Sequence, residues 1–155
     1  NNEREEGGES PPRPIHRLDK DVGGVLVLGK TRKSTANIQN LFREQKISKV
    51  YWALVHGVPD PVSGRIDSIL KAEDNQQKMG TTYYQTVAYC KEQQVSWLQL
   101  SPKTGRKHQL RIHCSQNLHT PIVNDKKYSK DTKCRYFSAE GEEEGEGFLF
   151  LFARK

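Results

Sequence analysis

Hydrophobic and polar positions along the chain repeat with two periods, and the periods separate strands from helices. The run Val25-Leu26-Val27-Leu28, opening after Gly23-Gly24, predicts a first, buried strand over residues 24–30. Over 31–45, Ile38, Leu41 and Phe42 recur at helical spacing, with Thr31 or Ser34 as a cap, so an amphipathic helix is predicted. Residues 49–58 alternate as a strand does, with Val50, Trp52 and Leu54 on one face and Tyr51, Ala53 and Val55 on the other. Pro59 and Pro61 end it. A third strand is expected over 64–70, a polar loop over 72–80, and a hairpin of 81–89 with 95–100 turning at 91–94. After a loop at 101–105, residues 106–117 admit two readings. As a strand, Leu110 and Ile112 face inward. As a helix, Leu110, Cys114 and Leu118 form an i, i+4, i+8 stripe with Thr104 as an upstream cap, and the length of the pattern favours this reading. Residues 121–136 are basic and irregular, 140–147 form an acidic, glycine-rich insert expected to be mobile, and Phe148 to Phe152 predicts a last buried strand. Residues 1–14 are polar and aperiodic, and a disordered or loosely packed tail is expected there.

Composition narrows the class. The 155 residues suit one domain of ordinary size, but only 34% are hydrophobic, which is thin for a complete core. The net charge of +6 points to polyanionic partners, nucleic acid first and an anionic membrane second. The membrane reading is poor, because no stretch approaches the roughly 20 apolar residues of a spanning helix, and no signal-peptide pattern opens the chain. Cys90, Cys114 and Cys134 are odd in number and widely spaced, and read as free thiols of a reducing compartment.

Two stretches carry candidate chemistry. In His16-Arg17-Leu18-Asp19, running on to Gly23-Gly24, Asp19 is a carboxylate able to act as nucleophile or base, or simply as a turn residue. The glycines permit a tight turn or the close approach of another backbone. In Thr104 to His113, cations stand at Arg106, Lys107 and Arg111, with Gln109 as an amide reader. On the helical reading His108, Arg111 and Ser115 share a face that suits a carboxylate or phosphate, or is merely a solvated basic face. His108 and His113 are five apart where a helical metal pair prefers four, so zinc is disfavoured. Lys126, Lys127, Lys130, Lys133 and Arg135 mix with Tyr128 and Tyr136, which suits single-stranded nucleic acid or an ordinary basic loop. No Gly-x-Ser-x-Gly is present.

As a set these residues resemble a known family. His16-Arg17-Leu18-Asp19, Lys49-x-Tyr51-Trp52-Ala53, Thr104-Gly105-Arg106-x-His108-Gln109-Leu110-Arg111-Ile112-His113 and Pro121-Ile122-Val123-x-Asp125-x-x-Tyr128 are similar, in order and spacing, to the motifs of the RluA family of pseudouridine synthases. Val58-Pro59-x-Pro61 and Gln77-Lys78-Met79 look most like its mitochondrial members. The chain departs from the family at Val22-Gly23, where Thr-Ser is common, at Asn124, where Gly is common, and at Leu149 to Ala153, where a His-rich run is common.

The resemblance implies an α+β fold: a mixed, mostly antiparallel sheet with flanking helices, incomplete at both ends, with the catalytic domain over 15–155. It implies isomerisation of uridine to pseudouridine in ribosomal RNA, large-subunit and mitochondrial, with the cytoplasm as the alternative location. Asp19 would be catalytic, Tyr51 would lie against the base as a candidate for proton transfer, and Arg111 would pair with Asp19. Arg17 would enter the RNA stack vacated by the flipped uridine. Arg106, Lys107, His108, Gln109, Lys126, Lys127 and Tyr128 would bind RNA. No cofactor or metal is required, no membrane is involved, and large-subunit assembly intermediates are candidate partners. The alternative is a catalytically silent RNA-binding ribosome-assembly factor on the same fold.

Overall fold

The computed structural model describes residues 11–71, 76–129 and 148–155. In chain order the elements are β1 (Arg13–Pro14), β2 (Gly23–Gly24), β3 (Leu28–Gly29), α1 (Arg32–Arg43), β4 (Tyr51–His56), β5 (Ser63–Lys71), β6 (Gln77–Cys90), β7 (Val95–Pro102), α2 (Gln109–Ile112) and β8 (Leu151–Ala153). They fall into two units, Asn1–Arg17 with Leu26–Ile47, and Leu18–Val25 with Ser48–Lys155.

In the first unit β1 and β3 pair antiparallel, Arg13 with Gly29 and Pro14 with Leu28. The Val27 N–H donates to His16 Nε2 at 3.1 Å, and the His16 ring lies 5.0 Å from that of Phe42 on α1. Both cap candidates of α1 act together. The Ser34 N–H donates to Thr31 Oγ1 and the Thr31 N–H to Ser34 Oγ, each at 3.0 Å, which is a reciprocal capping box. A side chain at Gly29 would collide with Thr35, so α1 approaches β3 through that glycine.

The single buried strand expected over 24–30 is instead two short pieces with different partners, β2 on β8 and β3 on β1. Val25, Leu26 and Leu28 are each about half exposed, at 49%, 47% and 49%. An apolar run reads as buried only where the sheet is covered on both faces, and here the backbone changes partner in mid-run.

The second unit is built on a six-stranded sheet in the order β2-β8-β4-β7-β6-β5, antiparallel except for the β2–β8 pair. This is the mixed, mostly antiparallel α+β architecture the resemblance implies. Alternation in β4 sorts as expected. Ala53 and Val55 join Leu98, Leu100, Ile66 and Tyr84 in the main core, closed by Leu110, Cys114 and Ile122, while Leu54 packs with Val95 and Val123 on the other face. Gly24, at φ +112°, lies where a Cβ would strike the backbone of Ala153, so the second glycine serves close backbone approach.

Three expected boundaries move. β6 begins at Gln77, so the described end of the expected 72–80 loop is strand, paired Lys71 to Gln77 and Ser68 to Gly80. Its polarity hid it because alternate side chains there face solvent and the inward position is Gly80, whose Cβ would meet Leu70 and His113. The last strand is confined to Leu151–Ala153; Leu149 and Leu151 are buried, whereas Phe148 is 85% exposed. Residues 106–117 are helical, as favoured, but α2 starts only at Gln109 and continues as a π-helical turn over His113–Asn117. His108 is left-handed (φ 52°, ψ 21°), which delays the helix. Residues 1–10 of the expected tail, the insert at 140–147, and Lys130, Lys133, Cys134, Arg135 and Tyr136 lie outside the described residues. Among the described residues Cys90 and Cys114 are free thiols, and no helix is long and apolar enough to cross a membrane.

Candidate active site

Every element below belongs to the second unit. Asp19 is partly buried in a turn whose carbonyl accepts the Val22 N–H at 3.0 Å, just before the glycines that anchor β2 on β8. Tyr51 opens β4 and Arg111 lies on α2. Lys49, two residues before Tyr51, donates its Nζ to the Thr104 carbonyl at 3.2 Å, tying the second motif to the third.

Arg111 is 6% exposed and Asp125 1%. Arg111 Nε donates to Asp125 Oδ2 at 2.8 Å and Nη2 to Oδ1 at 2.6 Å, a two-point fork on a carboxylate. Asp125 Oδ1 also accepts the N–H groups of Lys127 (3.0 Å) and Tyr128 (3.1 Å), so one carboxylate fixes both the cation and the following turn. The expected Arg111–Asp19 pairing is therefore not the one formed. Among the described residues the ion pair of Arg111 is with Asp125, and Asp19 acts on it by charge.

Tyr128 is the hub of this cluster. Its hydroxyl is 2.8 Å from His108 Nδ1, its ring lies 5.3 Å beneath the Arg111 guanidinium and 5.5 Å from Lys127 Nζ, and its carbonyl accepts Ser115 Oγ at 2.6 Å. His108, Arg111 and Ser115, placed on one helical face by their spacing, all meet Tyr128, although His108 itself precedes α2 in a left-handed conformation.

Electrostatics gather around Asp19. Burial, and then the Asp19 charge, raise the Tyr51 phenol above its ordinary value, so it stays protonated at neutral pH. Burial lowers His108, helped by Arg111, Lys127 and Lys107 and opposed by Asp19. Burial raises Tyr128; Arg111 opposes, while Asp125 and Asp19 add to the rise. For Asp125, burial alone would raise the carboxyl, but the Arg111 hydrogen bonds and charge and the two amides outweigh it and hold it low. Asp19, Tyr51, His108, Arg111 and Tyr128 thus share one electrostatic neighbourhood.

The other expected RNA-binding residues separate. Gln109 is buried and its amide is fully engaged inside the chain. Oε1 accepts Thr104 Oγ1 (2.7 Å) and the Arg106 N–H (3.0 Å), and Nε2 donates to Thr81 O and Thr82 Oγ1, both at 3.0 Å. It pins the 104–106 loop to β6. Arg106 Nε donates to the Met79 carbonyl at 3.3 Å. Lys107, Lys126 and Lys127 are exposed, and Arg17 is an exposed residue of the first unit. Sequence reasoning gave no role to Asp125. Its signal was available, for it is the sole acid between Arg106 and Ser129 in a basic stretch.

Similarity to known proteins agrees with this geometry. A family model described as RNA pseudouridylate synthase matches residues 1–116. The chain belongs to the RNA pseudouridylate synthase family. The match takes in Asp19, Tyr51 and Arg111, and stops short of Asp125 and Tyr128. The chain is 35% identical to RNA pseudouridine synthase 3, mitochondrial, of Oryza sativa subsp. japonica, over 79% of this chain and 32% of that protein. It is 40% identical to ribosomal large subunit pseudouridine synthase C of Buchnera aphidicola, over 76% of this chain and 40% of that one. The solved structure of Human RNA Pseudouridylate Synthase Domain Containing 4 superimposes with a TM-score of 0.76 at 30% identity, covering 94% of this chain and 66% of that one. The chain spans 32% and 40% of the length of the two curated relatives.

Proposed function

We propose that the protein is an RNA pseudouridine synthase acting on ribosomal RNA, with the large-subunit RNA of mitochondria as its target. What supports this reading is the family match over residues 1–116, which takes in Asp19, Tyr51 and Arg111, together with the buried Arg111–Asp125 fork packed against Tyr128 and His108. Support for the RNA comes from the relatives, one named for the large ribosomal subunit and one named mitochondrial.

The reaction is an isomerisation. The N1–C1′ bond of uridine breaks, the base turns, the C5–C1′ bond forms, C5 gives up its proton, and a ring nitrogen gains one. Nothing is oxidised and no group leaves, so no cofactor is needed. A stacked uridine hides its glycosidic bond and must first be flipped out, at a cost of a few kcal/mol. Asp19 supplies the carboxylate that attacks C1′ or takes a sugar proton. Tyr51, kept protonated, is suited to donate or relay a proton at the base rather than to act as a phenolate. Arg17, Arg106, Lys107, Lys126 and Lys127 hold RNA phosphates or fill the vacated stack, His108 and Tyr128 line the approach, and Gln109 acts by shaping the 104–106 loop.

The test is a pseudouridine map of cellular RNA with wild-type protein and with Asp19→Asn. One or more ribosomal RNA sites should disappear in the variant while RNA affinity stays within about threefold, since only one small charge is removed. An unchanged map would remove Asp19 from the chemistry and leave the silent assembly-factor reading in its place.

A further inference from the structure

We propose, on the reading of the chain as an RNA pseudouridine synthase, that the face of the six-stranded sheet turned away from α2 binds single-stranded RNA. Bases stack there on rings and guanidinium planes, and cations hold the phosphates. The substrate contact thereby extends from the uridine that reacts to the unpaired strand beside it.

Strand register defines the face. Ala53, Leu98, Leu100 and Tyr84 point into the core that Leu110 and Cys114 close, so their neighbours along each strand point the other way. Tyr51 pairs with Leu100 and so belongs to the α2 side. On the other side Phe152, Trp52, Gln99 and Gln85 stand in one row across β8, β4, β7 and β6, and Ser101, Tyr83 and Arg65 stand in the next row across β7, β6 and β5. A sheet face that only meets water calls for polar side chains, yet these rows mix amides and a hydroxyl with rings. Tyr83 is 41% exposed and Phe152 39%. Cations accompany the rings. Arg65 and Lys103 lie 5.8 Å and 5.7 Å from the Tyr83 centroid, and Arg65 is braced by Asp67 at 2.7 Å. The exposed Arg154 stands over Trp52 at 4.2 Å and leaves the outer side of its guanidinium to a base. Rings and guanidinium planes for stacking, amides for base edges and cations for phosphates are what unpaired RNA requires. A protein partner suits the face less, because the centre of such an interface is depleted of charge. From β8 to β5 the sheet takes four steps of about 4.8 Å, so the face is about 19 Å wide, room for the two or three bases that a sheet of this kind stacks. The face also adjoins the site already described. Lys103 leads into the 104–106 loop, and Arg106 Nε of that loop donates to the carbonyl of Met79, which stands two residues from Thr81 on β6. A strand held by Arg106 therefore has Lys103 and Tyr83 next along its path.

The test uses the full-length protein and two probes. One is a fluorescent oligoadenylate of about twelve nucleotides, which has no uridine to flip. The other is a transcript of large-subunit ribosomal RNA carrying tritium at uridine C5, whose release reports turnover. The variants are Tyr83→Ala, which changes no charge, and the same change with Lys103→Gln and Arg154→Gln. All three side chains are exposed, so the fold should survive, and urea unfolding checks it. Tyr83→Ala alone carries the test if the triple variant fails to fold. Tyr83→Ala should weaken oligoadenylate binding roughly fivefold or more, and the triple variant roughly thirtyfold or more. Double-stranded RNA should lose less than about twofold on Tyr83→Ala, because its bases are already stacked. On the transcript the triple variant should raise KM about fivefold or more with kcat within about twofold, because the face lies away from Tyr51. Asp19→Asn should bind oligoadenylate as the wild type does. Oligoadenylate that the wild type does not bind, or that Tyr83→Ala binds equally well, would overturn the surface. So would equal losses on single- and double-stranded RNA, or an unchanged KM in the triple variant. Protection of Tyr83 from a water-soluble tyrosine reagent in the RNA-free protein would also overturn it, by showing that protein covers the face. A wild type that binds oligoadenylate through Tyr83 yet makes no pseudouridine would overturn the proposed function and uphold the surface.

Discussion

Acid should destabilise this chain through His113, and the size of the effect follows from its surroundings. The ring is fully buried, and neither nitrogen has a hydrogen-bond partner among the described residues. A Cβ at Gly80 would sit 3.2 Å from Nε2, so the backbone of β6 presses against the ring. Burial pushes the imidazole from 6.5 down to about 4, with the Asp67 charge pulling weakly upward. The unfolded chain takes up this proton near 6.5, and the folded chain resists until about 4. Between those values the unfolded state binds more protons, so stability falls as pH falls. At about 1.4 kcal/mol per pH unit this amounts to roughly 3 kcal/mol, fully present above 6.5 and lost by about pH 4. Burial depresses His56 and His108 too, and they add to the same slope. The depressed carboxyls of Asp67 and Asp125 weaken the fold only at lower pH, below the ordinary 3.8. The assay is urea unfolding from about pH 7 to about pH 4.5, comparing wild type with His113→Leu, which cannot titrate. The variant should lose stability less steeply, by about one proton's worth, or roughly 1.4 kcal/mol per unit around pH 5. Equal slopes would show that His113 is not held neutral in the fold, and the reasoning would fail.

Arg111→Lys keeps the charge but gives up the fork on Asp125, so kcat should fall by about tenfold or more with RNA affinity within about threefold; an intact kcat in a steady-state assay would deny the fork any role. Gln109→Leu removes the partner of Thr82 Oγ1, Thr81 O, Thr104 Oγ1 and the Arg106 N–H, and thermal or urea unfolding should show a loss of about 3 kcal/mol, with a loss under about 1 kcal/mol contradicting the clamp. RNA affinity should fall with salt at a slope of about −2 or steeper on logarithmic axes, as expected if three or more of Arg106, Lys107, Lys126, Lys127 and the lysines beyond them contact phosphates, and a flat titration would reject the basic surface.

Much of the fold could be read from the sequence because its signals are local. The capping box needs only Thr31 and Ser34, and the sorting of residues 51–55 onto two faces follows from strand geometry alone. The failures come where the deciding partner is remote. Nothing within Val25 to Leu28 says that the backbone switches from β8 to β1 in mid-run. The left-handed His108 that shifts the start of α2 has its ring partner, Tyr128, in another segment.

The site shows the same division more sharply, because motif spacing brings Arg111 near two carboxylates without saying which it will hold. Physical chemistry makes the choice. Asp125 is 1% exposed and would be a buried, unpaired charge without Arg111, a state that costs several kcal/mol. Asp19 is only partly buried and can be solvated where it stands. The turn after Asp125 also supplies two amides already aimed at the same oxygen, so the acceptor is organised before the guanidinium arrives. A single fork between two acids goes to the one that water cannot reach. The more exposed acid, Asp19, keeps water as its alternative partner. The residue that decides this, Asp125, stands three positions before the tyrosine of a motif in which only a binding role was expected. Its importance becomes legible once burial is known, since burial turns an ordinary acid in a basic loop into the one that must be paired.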